Sequence, residues 1–77
     1  MKQEDIFTLI HNERKRQDEK WGEQNHDVYK WLAILGEEVG EANKAALDKD
    51  EAELISELIQ ISAVTVAMIE SIYRKRK

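Results

Sequence analysis

Apolar residues recur along this chain at helical spacing, in three blocks. In the first, Ile6, Leu9 and Ile10 share one face of a helix expected from about Gln3 to Lys20, with Asp5 capping its start. The stripe continues at the same spacing through Glu13, Gln17 and Trp21, so it turns polar halfway. Gly22 then interrupts the pattern, and GEQNHD reads as a loop.

The second block predicts a helix from near Asp27, its cap, to about Leu47. Val28, Leu32, Leu35, Val39, Ala42 and Ala46 repeat at 4-3-4-3-4 spacing, the pattern of a bundle seam. A neighbouring row begins with Trp31 and Ile34, turns acidic at Glu38 and Glu41, and ends at Ala45. Glu37 points away from the seam, and Gly36 and Gly40 share a side suited to close helix–helix packing.

After a DKDE turn, a third helix is expected from about Glu51 into the basic tail. One of its rows holds Leu54, Leu58, Ile61, Thr65, Met68 and Ile72; another holds Glu53, Glu57, Gln60, Val64, Ala67 and Ser71. From Ile61 to Ile69 it is apolar nearly all round, which predicts enclosure on several sides. Ile, Val and Thr also favour strands, but the rows continuing on either side are helical. Three helices of one short chain enclose such a segment poorly, so a symmetric dimer or dimer of dimers is expected. The expected fold is all-α: one domain over residues 1–77, a bundle of about three helices completed by oligomerisation into a four-helix-bundle-like core.

Composition narrows the chemistry. Proline is absent and only three glycines occur, which suits a few long helices better than a many-turned β domain. The lack of cysteine excludes a disulfide framework and a thiolate zinc site. The only histidines are His11 and His26, which excludes a His-rich metal centre. The single Glu-x-x-His match of a di-iron bundle, Glu23 with His26, falls in the loop. Net charge is −4, but four of the 12 basic residues lie in Ser71–Lys77, leaving 8 against 16 acidic residues elsewhere. Such a body disfavours nucleic acid and suits the collection of divalent cations. The terminal Arg74–Lys77 run reads as a complement to the helix dipole rather than a nucleic-acid or membrane patch. The first ten residues include Lys2, Glu4 and Asp5, unlike a signal peptide, and the longest uncharged run, Leu58–Ile69, is too short for a bilayer. A cytoplasmic protein without nucleic-acid or membrane partners is expected.

The candidate chemistry lies in the carboxylates. EEVGE supplies Glu37, Glu38 and Glu41, and the third helix supplies Glu57 with Gln60 three residues on. An i, i+3 spacing stacks Glu38 over Glu41 and Glu57 over Gln60, and a hairpin around DKDE brings the pairs face to face. On a solvated face, like charges one turn apart cost only about 0.2–0.5 kcal/mol. Converging between helices at about 5–6 Å, they repel by about 3 kcal/mol at an effective dielectric near 20. No Lys or Arg interrupts these rows at the acidic positions, so a bound cation is the economical counter-charge. Oxygen-only donors select Mg²⁺, Mn²⁺ or Ca²⁺.

EEVGE, a fifteen-residue spacer and Glu57 with a polar residue three later together resemble the all-α nucleoside triphosphate pyrophosphohydrolases of the MazG-like branch. ERKRQDEKWGEQNHD (13–27) and ELIQISAVTVAMIE (57–70) resemble the small phage-type members, and the likeness covers about Ile6 to Ile72. The resemblance implies Mg²⁺-dependent hydrolysis of (d)NTPs by metal-activated water to (d)NMP and pyrophosphate, Mn²⁺ being the other usable ion, in a homodimer or homotetramer. It implies Glu37, Glu38, Glu41, Glu57 and Gln60 as metal ligands, and Glu38 or Glu41 as the catalytic carboxylate orienting the attacking water. The family's fourth position is usually Asp; Gln60 carries one negative charge fewer, and Glu53, one turn before Glu57, can compensate. The same departure motivates the alternative, a weak or inactive nucleotide-binding or helical oligomerisation module. Arg14, Arg16 and Lys20 are candidates for the triphosphate, or else a solvated face with local ion pairs. Gln17, Trp21 and His26 are candidates for the base; otherwise Trp21 plugs the bundle end and His26 caps the second helix. Trp31 reads as core or interface.

Overall fold

The computed structural model describes residues 1–76; Lys77, the last of the basic tail, lies outside them. Three helices follow in order: α1 Gln3–Trp21, α2 Val28–Leu47 and α3 Glu51–Lys75. Each starts and stops for a local reason. The Asp27 carboxylate accepts from the Lys30 N–H at 2.9 Å, and that of Asp50 from the Glu53 N–H at 3.0 Å, satisfying donors with no partner inside the helix. The expected Asp5 cap lies three residues further in: Lys2 is the N-cap, and the Asp5 carboxylate reaches back to its N–H at 3.0 Å. Gly22 ends α1 at φ +69°, ψ −166°, a conformation that side chains resist.

α3 is central. Among the described residues α1 and α2 each pack on it, and no Cα of α1 comes within 8 Å of one of α2. By length and composition α3 would suffice to cross a membrane; here it is the helix that carries both others. The IleSerAlaValThrValAlaMetIle stretch is helix throughout. The arrangement is a three-helix, all-α bundle measuring 43 × 27 × 21 Å.

The core differs from the expected seam. Its centre is Trp31 against Val64 and Ala67, flanked by Ile34, Leu35 and Met68. An indole buries more area than any aliphatic group, and the short side chains of Ala63, Val64 and Ala67 leave room for it. α2 therefore turns the Trp31–Ile34–Glu38 row toward α3. Of the predicted seam, Ala42 is buried and Leu35 half-buried, whereas Val28, Leu32 and Val39 are 46%, 50% and 41% exposed. Among the described residues, nothing beyond the helix's own turns lies within 4 Å of a Cβ built on Gly36 or Gly40, so the close packing expected there does not occur among them. On α3, α1 and α2 cover two sides of the apolar segment, and Thr65, Val66 and Ile69 stay exposed.

The basic tail has a local task. Arg74 donates to the Asn25 side chain (2.8 Å) and the Gln24 carbonyl (3.0 Å), and Lys75 Nζ donates to the His26 carbonyl (2.7 Å). These bonds tie the 22–27 loop to the end of α3, where cations also complement the helix dipole.

Candidate metal centre and the adjoining cavity

α2 and α3 form an antiparallel hairpin, and three carboxylates meet between them. Glu38, Glu41 and Glu57 each offer an oxygen within 4.8 Å of the others. Glu57 is only 4% exposed; Glu38 is half-buried and Glu41 exposed. Oε2 of Glu38 and Oε2 of Glu57 are buried without a hydrogen-bond partner. Burial raises the Glu57 pKa, and the neighbouring carboxyls of Glu53, Glu38 and Glu41 raise it further, to about 7. The ion pairs among the described residues involve other carboxylates, those of Glu13, Asp18, Glu23 and Glu70. Clustered oxygens with unused lone pairs and no paired cation could coordinate a hard divalent ion.

Beside this cluster lies a cavity of about 230 Å³. α3 forms its floor, and it opens where α1 and α2 stay apart. Arg16, Gln17 and Trp21 line it from α1, Trp31 and Glu38 from α2, and Gln60 from α3. Glu38 thus belongs to both the carboxylate cluster and the cavity. Gln17 is buried at the point where the α1 stripe turns polar; it accepts from Arg14 (3.0 Å) and donates to Glu13 (3.3 Å). Arg16 grips Glu13 through two bonds of 2.9 and 2.7 Å, which hold the Glu13 pKa below its usual value. Trp21 is half exposed, with Lys20 Nζ 4.6 Å from its ring centre.

The remaining candidates stand elsewhere. Glu37 is exposed and outside the cluster, as its angular position on α2 requires. Arg14 is engaged with Asp18 and Glu70, each at 2.9 Å, and so clamps α1 to α3. His26 packs edge-on against Trp31, with ring centroids 4.9 Å apart. Gln60 faces the cavity with Glu38. Trp31 was legible as core, but its second property was not: the residue borders the cavity, and its indole N–H is buried without a partner. The row Trp31–Ile34–Glu38 carried that signal, since it places the indole two turns from a cluster carboxylate. Gln24, in the loop, also lines the cavity and has no sequence signature.

Comparison with known proteins bears on this geometry. No characterised protein and no solved structure matches the chain. The family model described as phosphoribosyl-ATP pyrophosphohydrolase matches residues 4–71, which include all three helices' packed portions, the carboxylate cluster and the cavity. With the match extending over most of its length, the chain belongs to the phosphoribosyl-ATP pyrophosphohydrolase family, part of the MazG-like all-α NTP-pyrophosphohydrolase superfamily.

Proposed function

We propose that this protein hydrolyses the bond between the α and β phosphates of a nucleotide triphosphate, releasing pyrophosphate and a monophosphate. The observation that carries the reading is the convergence of Glu38, Glu41 and Glu57 next to a cavity walled by Trp21, Trp31, Gln17 and Gln60. Substrates of two kinds are in scope: (d)NTPs, as for small phage-type relatives, and the phosphoribosyl-ATP of the family's name.

Glu38, Glu41 and Glu57 would hold Mg²⁺, which supplies charge neutralisation and polarisation of a phosphoryl oxygen. The protein's own work is positioning, which dominates phosphoryl transfer. Glu38, shared by cluster and cavity, is best placed to accept a hydrogen bond from the attacking water. The Trp21 face and the Gln17 and Gln60 amides offer stacking and hydrogen bonds to a base. The unpartnered Trp31 N–H gains a partner if the ligand presents an acceptor. Arg16 stands at the same cavity for the phosphates, whereas Arg14 and His26 are read as parts of the scaffold.

The working form is a homodimer or homotetramer in the cytoplasm. Its support is the exposed apolar row Val28, Leu32, Val39 on α2 and Ile55, Leu58 on α3. A panel of (d)NTPs and phosphoribosyl-ATP, assayed for pyrophosphate with and without Mg²⁺, tests the reaction. Glu38→Gln is expected to lower turnover by about 100-fold or more; turnover that survives this change, or is absent from the wild type, overturns the reading.

A further inference from the structure

We propose that Glu53 is the fourth carboxylate of the cation centre and that Gln60, at the family's usual fourth position, serves the substrate cavity instead. The inference rests on the metal-centre reading of Glu38, Glu41 and Glu57 and adds a ligand to it.

Position along α3 separates the two residues. Glu53 lies four residues before Glu57 and Gln60 three after, on nearly the same side of the helix but about 10 Å apart along its axis. The antiparallel α2 meets them at different points. Near Glu53, a cavity of about 300 Å³ is lined by Glu41, Glu53 and Glu57, with Lys44 at its wall; Gln60 does not line it. Near Gln60, the 230 Å³ cavity takes Glu38, Gln17, Trp21 and Trp31, and Glu53 does not line that one. The two ends of the cluster therefore open onto different spaces, the acidic one toward Glu53 and the aromatic one toward Gln60.

Glu57 is the hinge of this arrangement. Its side chain is more than nine-tenths buried, lines the acidic cavity, and leaves Oε2 without a hydrogen-bond partner. A buried carboxylate oxygen with no donor is costly unless it meets a cation. Glu53, one turn before Glu57 on α3, lines the same cavity as Glu57 and Glu41. Asp50, on the same cavity, is already committed to capping α3. Lys44 makes no ion pair within 4 Å among the described residues, so it does not neutralise these carboxylates.

Mn²⁺ binding to the full chain, measured by calorimetry and by the electron paramagnetic resonance of free Mn²⁺, tests the assignment without substrate. Wild type is compared with Glu53→Gln, Gln60→Ala, Glu57→Gln and, as a charge control on the same helix, Glu51→Gln. Circular dichroism confirms equal helicity, which the exposed position of Glu53 favours. The expected result is a loss of Mn²⁺ affinity of about tenfold or more for Glu53→Gln and Glu57→Gln, and a change under twofold for Gln60→Ala and Glu51→Gln. If Glu57→Gln loses binding while Glu53→Gln does not, the centre stands and this inference falls. It also falls if Glu51→Gln matches Glu53→Gln, or if Gln60→Ala weakens binding as much. If wild type binds no Mn²⁺, or Glu57→Gln binds normally, the centre and the inference fall together.

Discussion

Glu57 combines a buried carboxylate with three acidic neighbours, Glu38, Glu41 and Glu53. Its pKa in the fold, about 7, lies above the ordinary value of 4.5, so between these limits the folded chain holds a proton that the unfolded chain has released. The stability that Glu57 contributes is complete below the ordinary value and is lost as pH rises through about 7. Without metal, the thermal midpoint followed by circular dichroism is therefore expected to be lower at about pH 8 than at about pH 5 through this group. Glu57→Gln removes that part of the pH dependence, and Mg²⁺ offsets it at the higher pH. An unchanged pH dependence in the Gln variant would show that the carboxylate is not strained.

At the scale of the helix, stability depends on ends and fastenings as much as on faces. Asp50→Ala deprives the Glu53 N–H of its acceptor and should cost about 1 kcal/mol in urea unfolding. Gly22→Ala forces a side chain into the φ +69° conformation that ends α1 and should cost about 1–3 kcal/mol. Arg74→Ala frees the Gln24 carbonyl and the Asn25 side chain. Faster amide hydrogen exchange confined to the 22–27 loop and the end of α3 is the expected result. If exchange rises equally along α1, Arg74 holds more than the loop. The end of α1 and the start of α2 were legible because the breaking of a helix by Gly22 and capping by Asp27 involve residues only a few positions apart, whereas the α1 cap is Lys2 and not the expected Asp5. The Arg74 and Lys75 contacts were not, since they join residues about fifty positions apart.

At the scale of the molecule, a thin bundle in which α1 and α2 both pack on α3 and their backbones stay apart leaves much apolar surface uncovered. Leu32 and Leu58 are each about half exposed, on helices that carry the carboxylate cluster. In a homodimer that buries this surface, Leu32→Glu should shift sedimentation equilibrium toward monomer, with the melting temperature becoming independent of protein concentration. A wild type that is already monomeric at assay concentrations would refute the dimer. Apolar periodicity marked the Val28–Leu32–Leu35–Val39 row as the seam, because it counts apolar positions without weighing the size of Trp31. The packing of Trp31 against Val64 and Ala67 turned one row inward and left the Val28–Leu32–Val39 row outside.

The sequence alone determined three helices, their limits to within a residue or two, and an acidic spacing that brings Glu38, Glu41 and Glu57 to facing surfaces of a hairpin. Those features follow from periodicity, capping and turn chemistry, all of which act over short stretches of chain. Only the tertiary structure decided that Arg14 is spent on Glu70 and that Glu53 and Gln60 open onto different cavities. Each of these depends on the axial position and rotation of one helix against another, which long-range side-chain packing sets and no local pattern encodes.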